Sequence, residues 1–107
     1  MQLSMNTTSD GTTTTIAVSG EIDVSNASEL RDAVDDALKA GADAVDVDLA
    51  DVSYIDSTGI GVLVGAANRA AETGTTLVVS RPQRNVRRVL DLLGVGDELN
   101  VRDDSQA

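Results

Sequence analysis

Tyr54-Ile55-Asp56-Ser57-Thr58-Gly59-Ile60-Gly61-Val62-Leu63-Val64-Gly65 decides how this chain is read. A hydroxyl-rich turn runs straight into a helix that is apolar nearly all round for its first two turns. Ser57 or Thr58 is the expected N-cap, its side chain accepting from an orphan backbone N–H. Ile60, Val62, Leu63 and Val64 span most of the helical wheel, so they cannot all face one core. Part of this turn is therefore expected in an exposed apolar patch, the kind of surface that marks an interface. Gly61 and Gly65, four residues apart, leave one side of the helix bare for close packing.

Just upstream, Val45, Val47 and Leu49 alternate with Asp46 and Asp48. That alternation predicts a strand over residues 44–49 with one wet face. A sheet covered on both faces would show a continuous apolar run, so helices are expected mainly on one face. Asp46 and Asp48 then read as solvated carboxylates rather than a cation site, and residues 51–56 as a loop.

Working outward, residues 2–5 read as a short first strand, and the Thr-rich stretch 6–15 as a hairpin loop turning at Ser9 to Gly11. Residues 13–19 form a second strand with Ile16 and Val18 on one side, ended by Gly20. Ala27, Leu30, Val34, Ala37 and Leu38 then fall at helical spacing. Asn26 with Glu29 resembles a capping box, and Lys39 before Gly41 a helix stop. The second helix runs to about Thr73, and residues 76–80 form another strand. Pro82 suits the first turn of a third helix, buried through Val86, Val89, Leu90 and Leu93 and terminated by Gly94. Residues 98–101 add a short last strand, and 102–107 a frayed tail. The order β-β-α-β-α-β-α(-β) predicts one α/β domain over residues 1–107, built on a mixed sheet.

Composition narrows the chemistry. With 107 residues the chain fits one domain, and 41% hydrophobic residues suffice for a core. That core must be aliphatic, because Tyr54 is the sole aromatic. There is no cysteine and no histidine, which removes disulfides, thiolate and imidazole metal sites, and imidazole catalysis. Eighteen acidic against eight basic residues give a net charge of −10, which repels nucleic acid and anionic lipid. No apolar run approaches a membrane span and no signal pattern opens the chain, so a cytoplasmic location is expected. Arg81, Arg84, Arg87 and Arg88 form the one basic cluster, read as capping and solvating a helix.

Two motifs fail on inspection. Gly59-x-Gly61-x-x-x-Gly65 misses the dinucleotide fingerprint by one residue and lacks the βαβ unit that should open the chain. A phospho-accepting receiver domain would need an early acidic pair and a late lysine, whereas the only lysine, Lys39, closes the first helix. A nucleophilic serine needs a base, and Ser57 has no credible one. Ser57 is better read as a substrate than as a catalyst.

At these residues the chain resembles the STAS domain of bacterial anti-sigma factor antagonists, the anti-anti-sigma proteins of stress-response and sporulation switches. The resemblance rests on Gly20-Glu21-Ile22-Asp23, on Asp51-Val52-Ser53-Tyr54-Ile55-Asp56-Ser57-Thr58-Gly59, and on Arg88-Val89-Leu90-Asp91-Leu92-Leu93-Gly94. It implies a STAS-like α/β fold, no enzymatic activity, no cofactor and no metal. It further implies that the unphosphorylated protein binds an anti-sigma factor, a serine kinase of ATP-binding fold, and so frees a sigma factor. Phosphorylation by that kinase maps to Ser57, and a phosphoserine phosphatase restores the binding form. Asp23 is expected near Ser57. The expected partner-binding set is Asp23, Asp56, Ser57, Thr58, Gly59, Ile60 and Gly61, with neither nucleic acid nor membrane as a direct partner. Two readings compete: a STAS scaffold or nucleotide-binding module that regulates another partner, with Ser57 only a helix cap, and a small enzyme using the Asp23 and Asp56 carboxylates.

Overall fold

The computed structural model describes residues 3–103. Five strands form one sheet in the order β1-β2-β3-β4-β5: β1 (Ser4–Asp10), β2 (Thr13–Ile22), β3 (Ala44–Ile55), β4 (Thr76–Ser80) and β5 (Val101–Arg102). β1 pairs antiparallel with β2, and every later pairing is parallel. Helices α1 (Ala27–Lys39), α2 (Ser57–Glu72) and α3 (Arg84–Leu93) make the crossovers. Parallel crossovers are almost always right-handed, which brings successive helices onto the same face. Leu30 and Val34 of α1, Leu63 and Ala66 of α2, and Val86 and Leu90 of α3 join Ile16, Val47 and Val79 of the sheet in one buried cluster. The mixed sheet and its one-sided helical layer agree with the sequence.

Several boundaries differ. β1 extends to Asp10, so residues 6–10 are strand and the hairpin turns on Gly11 and Thr12 alone. Gln2 lies outside the described residues. β2 continues through Gly20, whose φ of +115° sits at a register irregularity with β3 and does not end the strand. The Gly supplies a backbone angle that a side chain would resist, and the strand passes on to bury Ile22. β3 likewise runs to Ile55, so residues 51–55 are strand rather than loop.

The expected capping box at α1 does not form. Asn26 is the N-cap by position, but its side chain faces backward, accepting from the Asp23 N–H at 2.9 Å and donating to the Glu21 carbonyl at 2.8 Å. Pro82 precedes the first turn of α3 instead of lying in it, because Gln83 is the extended N-cap residue. Its side chain donates to the Ala50 carbonyl at 2.9 Å. Val86 and Leu90 are buried as expected, whereas Leu93 is 54% exposed. Gly94, at φ +69°, ends the helix in the left-handed conformation that favours glycine. The last strand is Val101–Arg102 only, so Arg102 is not frayed, and Asp103 pairs with Arg87 at 2.6 Å. Residues 104–107 lie outside the described residues.

The wet face of β3 is also corrected. Asp46 and Asp48 are 1% and 6% exposed. Ser80 Oγ donates to Asp46 at 2.5 Å, and the Arg81 guanidinium holds Asp48 through Nε and Nη2. Alternation located the polar face correctly, but Ser80 at the end of β4 and Arg81 just after it supply protein partners where water was expected. The Asp48 carboxylate in turn holds the Arg81 guanidinium above its ordinary pKa, first by hydrogen bonding and then by charge. It also anchors Arg81 at φ +53°.

Candidate functional site

The corner around Ser57 is built by two strand ends and the segments that leave them. Ile22 and Ile55 are register partners at the ends of β2 and β3. One residue on, the Asp56 N–H donates to the Ile22 carbonyl at 3.1 Å. Asp23 and Ser57 therefore follow directly from two residues joined by a hydrogen bond, which brings the Asp23 loop beside the start of α2.

Asp56, not Ser57 or Thr58, caps α2. Its carboxylate accepts from the Gly59 N–H at 3.1 Å, and its backbone carbonyl accepts from the Ile60 N–H at 3.0 Å. Ser57 is the first helical residue, exposed, and among the described residues its hydroxyl makes no hydrogen bond. Thr58 is exposed beside it. The hydroxyl that was expected to cap is left free.

The seven expected contact residues divide in two. Ser57, Thr58 and Gly61 are exposed, and Asp23 and Asp56 are half-buried. Gly59 and Ile60 are buried. A Cβ at Gly59 would lie 2.6 Å from Ile22 Cγ2 and 2.8 Å from Ile55 Cγ1. Gly59 is thus the residue that lets α2 close onto the two strand ends. Ile60 goes into the core with Leu63, so the apolar turn exposes only parts of Val62 and Val64. The exposed apolar patch expected there comes down to those parts of the two valines.

Other side chains occupy that corner. Val24 is 76% exposed in the loop after Asp23, and Tyr54 is 48% exposed opposite Glu21 in the register. Reading residues 51–56 as a loop hid Tyr54's place on a strand, although Val52, Tyr54 and Ile55 carried the β-forming signal. Asp23 accepts from the hydroxyl and the N–H of Ser25, and these bonds hold its carboxyl below the ordinary value of 3.8. Asp23 and Asp56 together present negative charge beside Ser57. Among the described residues no cluster of three or more histidine, cysteine or carboxylate side chains could hold a metal ion. No helix there is long and apolar enough to cross a membrane.

Fold and corner together define a small α/β domain that displays an exposed serine at a helix start. The family model described as "Mlab, STAS domain" matches residues 5–102, and the chain belongs to this STAS domain family. Among curated relatives, an anti-sigma-B factor antagonist of Bacillus subtilis is 35% identical over 86 residues, 80% of this chain and 78% of that one. One from Staphylococcus epidermidis is 31% identical over 91 residues, 85% and 84% of the two chains. Among solved structures, an anti-sigma factor antagonist from Mycobacterium paratuberculosis superposes with a TM-score of 0.86 at 22% identity, over 94% of this chain and 86% of that one. Unphosphorylated SpoIIAA superposes with a TM-score of 0.80 at 21% identity, over 96% and 89%. These structural likenesses establish the STAS fold.

Proposed function

We propose that this protein is an anti-sigma factor antagonist, a regulatory binding protein rather than an enzyme. Its curated relatives carry that name across about four-fifths of both chains. In this reading the unphosphorylated form binds an anti-sigma factor that is also a serine kinase of ATP-binding fold, releasing the sigma factor. The kinase phosphorylates Ser57, and a phosphoserine phosphatase reverses the modification.

The observation that carries the reading is the free Ser57 hydroxyl. Asp56 does the capping, so the serine contributes nothing evident to the helix and is open to a kinase. A phosphate there adds about −1.5 to −2 charges at pH 7, next to Asp56 and the Asp23 loop. The start of α2 tolerates negative charge through its dipole, so the modification acts on the partner surface more than on the fold. Losing a few charge-assisted contacts while adding repulsion weakens such a complex by roughly 10²–10³. The test is mass mapping after incubation with ATP and host extract, alongside binding measurements on Ser57→Ala and Ser57→Asp. Phosphate on Ser57 and weak binding by Ser57→Asp alone are expected; equal affinity of both variants would overturn the reading.

A further inference from the structure

Helix α3 carries its charges the wrong way round. Arg84, Arg87 and Arg88 occupy its N-terminal half, Asp91 lies toward its C-terminus, and no basic residue stands in the last turn. A helix favours the opposite arrangement, and Arg84 with Arg88 is a like-charge pair at i,i+4, which disfavours the helix further. Arg81 is engaged with Asp48, and Arg87 with Asp91 and Asp103. In a chain with 18 acidic residues, neither Arg84 nor Arg88 has a carboxylate partner among the described residues.

Leu92, which is 79% exposed, shares this face. Two open depressions of about 370 Å³ each flank the arginine pair, one reaching Leu92 and Asp91, the other Asn85. Free guanidinium groups beside an exposed leucine are complementary to carboxylates beside apolar side chains.

We propose that the outer face of α3 is a docking surface for an acidic, amphipathic segment of a partner protein, held by Arg84, Arg88 and Leu92. Guanidinium groups pair bidentately with carboxylates, and Leu92 gives the apolar face of the segment a place to bury. Nucleic acid is disfavoured, because the molecule as a whole is at −10 and this face offers no aromatic side chain for base stacking. The surface stands independently of Ser57, whose corner is negative and suits the opposite chemistry.

The test titrates the ¹⁵N-labelled full chain with a synthetic amphipathic peptide bearing Glu and Leu at helical spacing. Shift changes are expected to centre on Arg84, Arg88 and Leu92. Affinity should fall about tenfold or more in R84Q/R88Q and fall with added salt. The double variant should melt no lower than the native protein, since it removes repulsion. The proposal is overturned by no binding, by shifts centred on another face, or by undiminished binding of R84Q/R88Q. It is equally overturned if a single-stranded DNA oligonucleotide takes this face more tightly than the peptide, or if R84Q/R88Q melts lower, which would give the arginines a role within the fold.

Discussion

The backbone N–H of Asp56 donates to the Ile22 carbonyl across 3.1 Å, and this bond holds the segment carrying Asp23 against the one carrying Ser57. Beneath it, Gly59 packs where any Cβ would strike Ile22 and Ile55. Both isoleucines are β-branched, with Ile22 fully buried and Ile55 3% exposed, so neither can swing aside. Gly59→Ala is therefore expected to destabilise the protein by about 1–3 kcal/mol, measured by urea unfolding. It should also shift the amide resonance of Asp23, which a change local to α2 would leave in place.

Capping and exposure predict a contrast between neighbours. Asp56→Ala removes the hydrogen bond to the Gly59 N–H and should cost about 1 kcal/mol. Ser57→Ala removes a hydroxyl that bonds to nothing among the described residues and should change stability by less than about 0.5 kcal/mol. Thermal melts of the two variants side by side check this. A large loss for Ser57→Ala would return the serine to the role of cap.

Asp23 gives a prediction in pH. Its carboxyl lies below the ordinary value of 3.8 because it accepts from Ser25. A depressed carboxylate contributes stability above the unfolded-state pKa, and loses it as pH falls through the lower folded value. The Asp23–Ser25 turn should thus be intact at neutral pH and loosen only below the usual carboxylate range. The side-chain carboxyl resonance of Asp23 should titrate below 3.8, and Ser25→Ala should move that midpoint upward toward it.

Asp48 and Arg81 link β3 to the segment that leaves β4. Arg81→Ala leaves a carboxylate that is 7% exposed without its guanidinium partner, and should lower the melting temperature. Arg81→Lys should recover only part of the loss, because one ammonium cannot reproduce the two-point contact. The positive φ at Arg81 makes the loop before α3 the place where amide exchange should quicken first.

Much of this was legible in the sequence, for definite reasons. The 3.6-residue period of Leu30, Val34 and Ala37 and the stop at Gly41 set α1; the alternation of Val45, Val47 and Leu49 set the inner face of β3. What failed depended on partners distant in sequence. Asp46 and Asp48 read as solvated because alternation cannot distinguish water from Ser80 and Arg81, more than thirty residues away. Asn26 and Ser57 are good capping residues by type. Which side chain caps was decided by the Glu21 carbonyl and the Asp56 carboxylate, and so by the geometry of two strand ends. Ile60 was drawn into the core by the close approach that Gly59 permits, a contact with no local signature.

The most direct test of the central claim is isothermal calorimetry of the unmodified chain, the Ser57-phosphorylated chain and Ser57→Ala against the anti-sigma factor of the same host. The account predicts tight binding by the unmodified chain and by Ser57→Ala, with affinity lower by roughly 10²–10³ once Ser57 carries phosphate. Equal affinity of the phosphorylated and unmodified forms, with phosphate verified on Ser57, would contradict it.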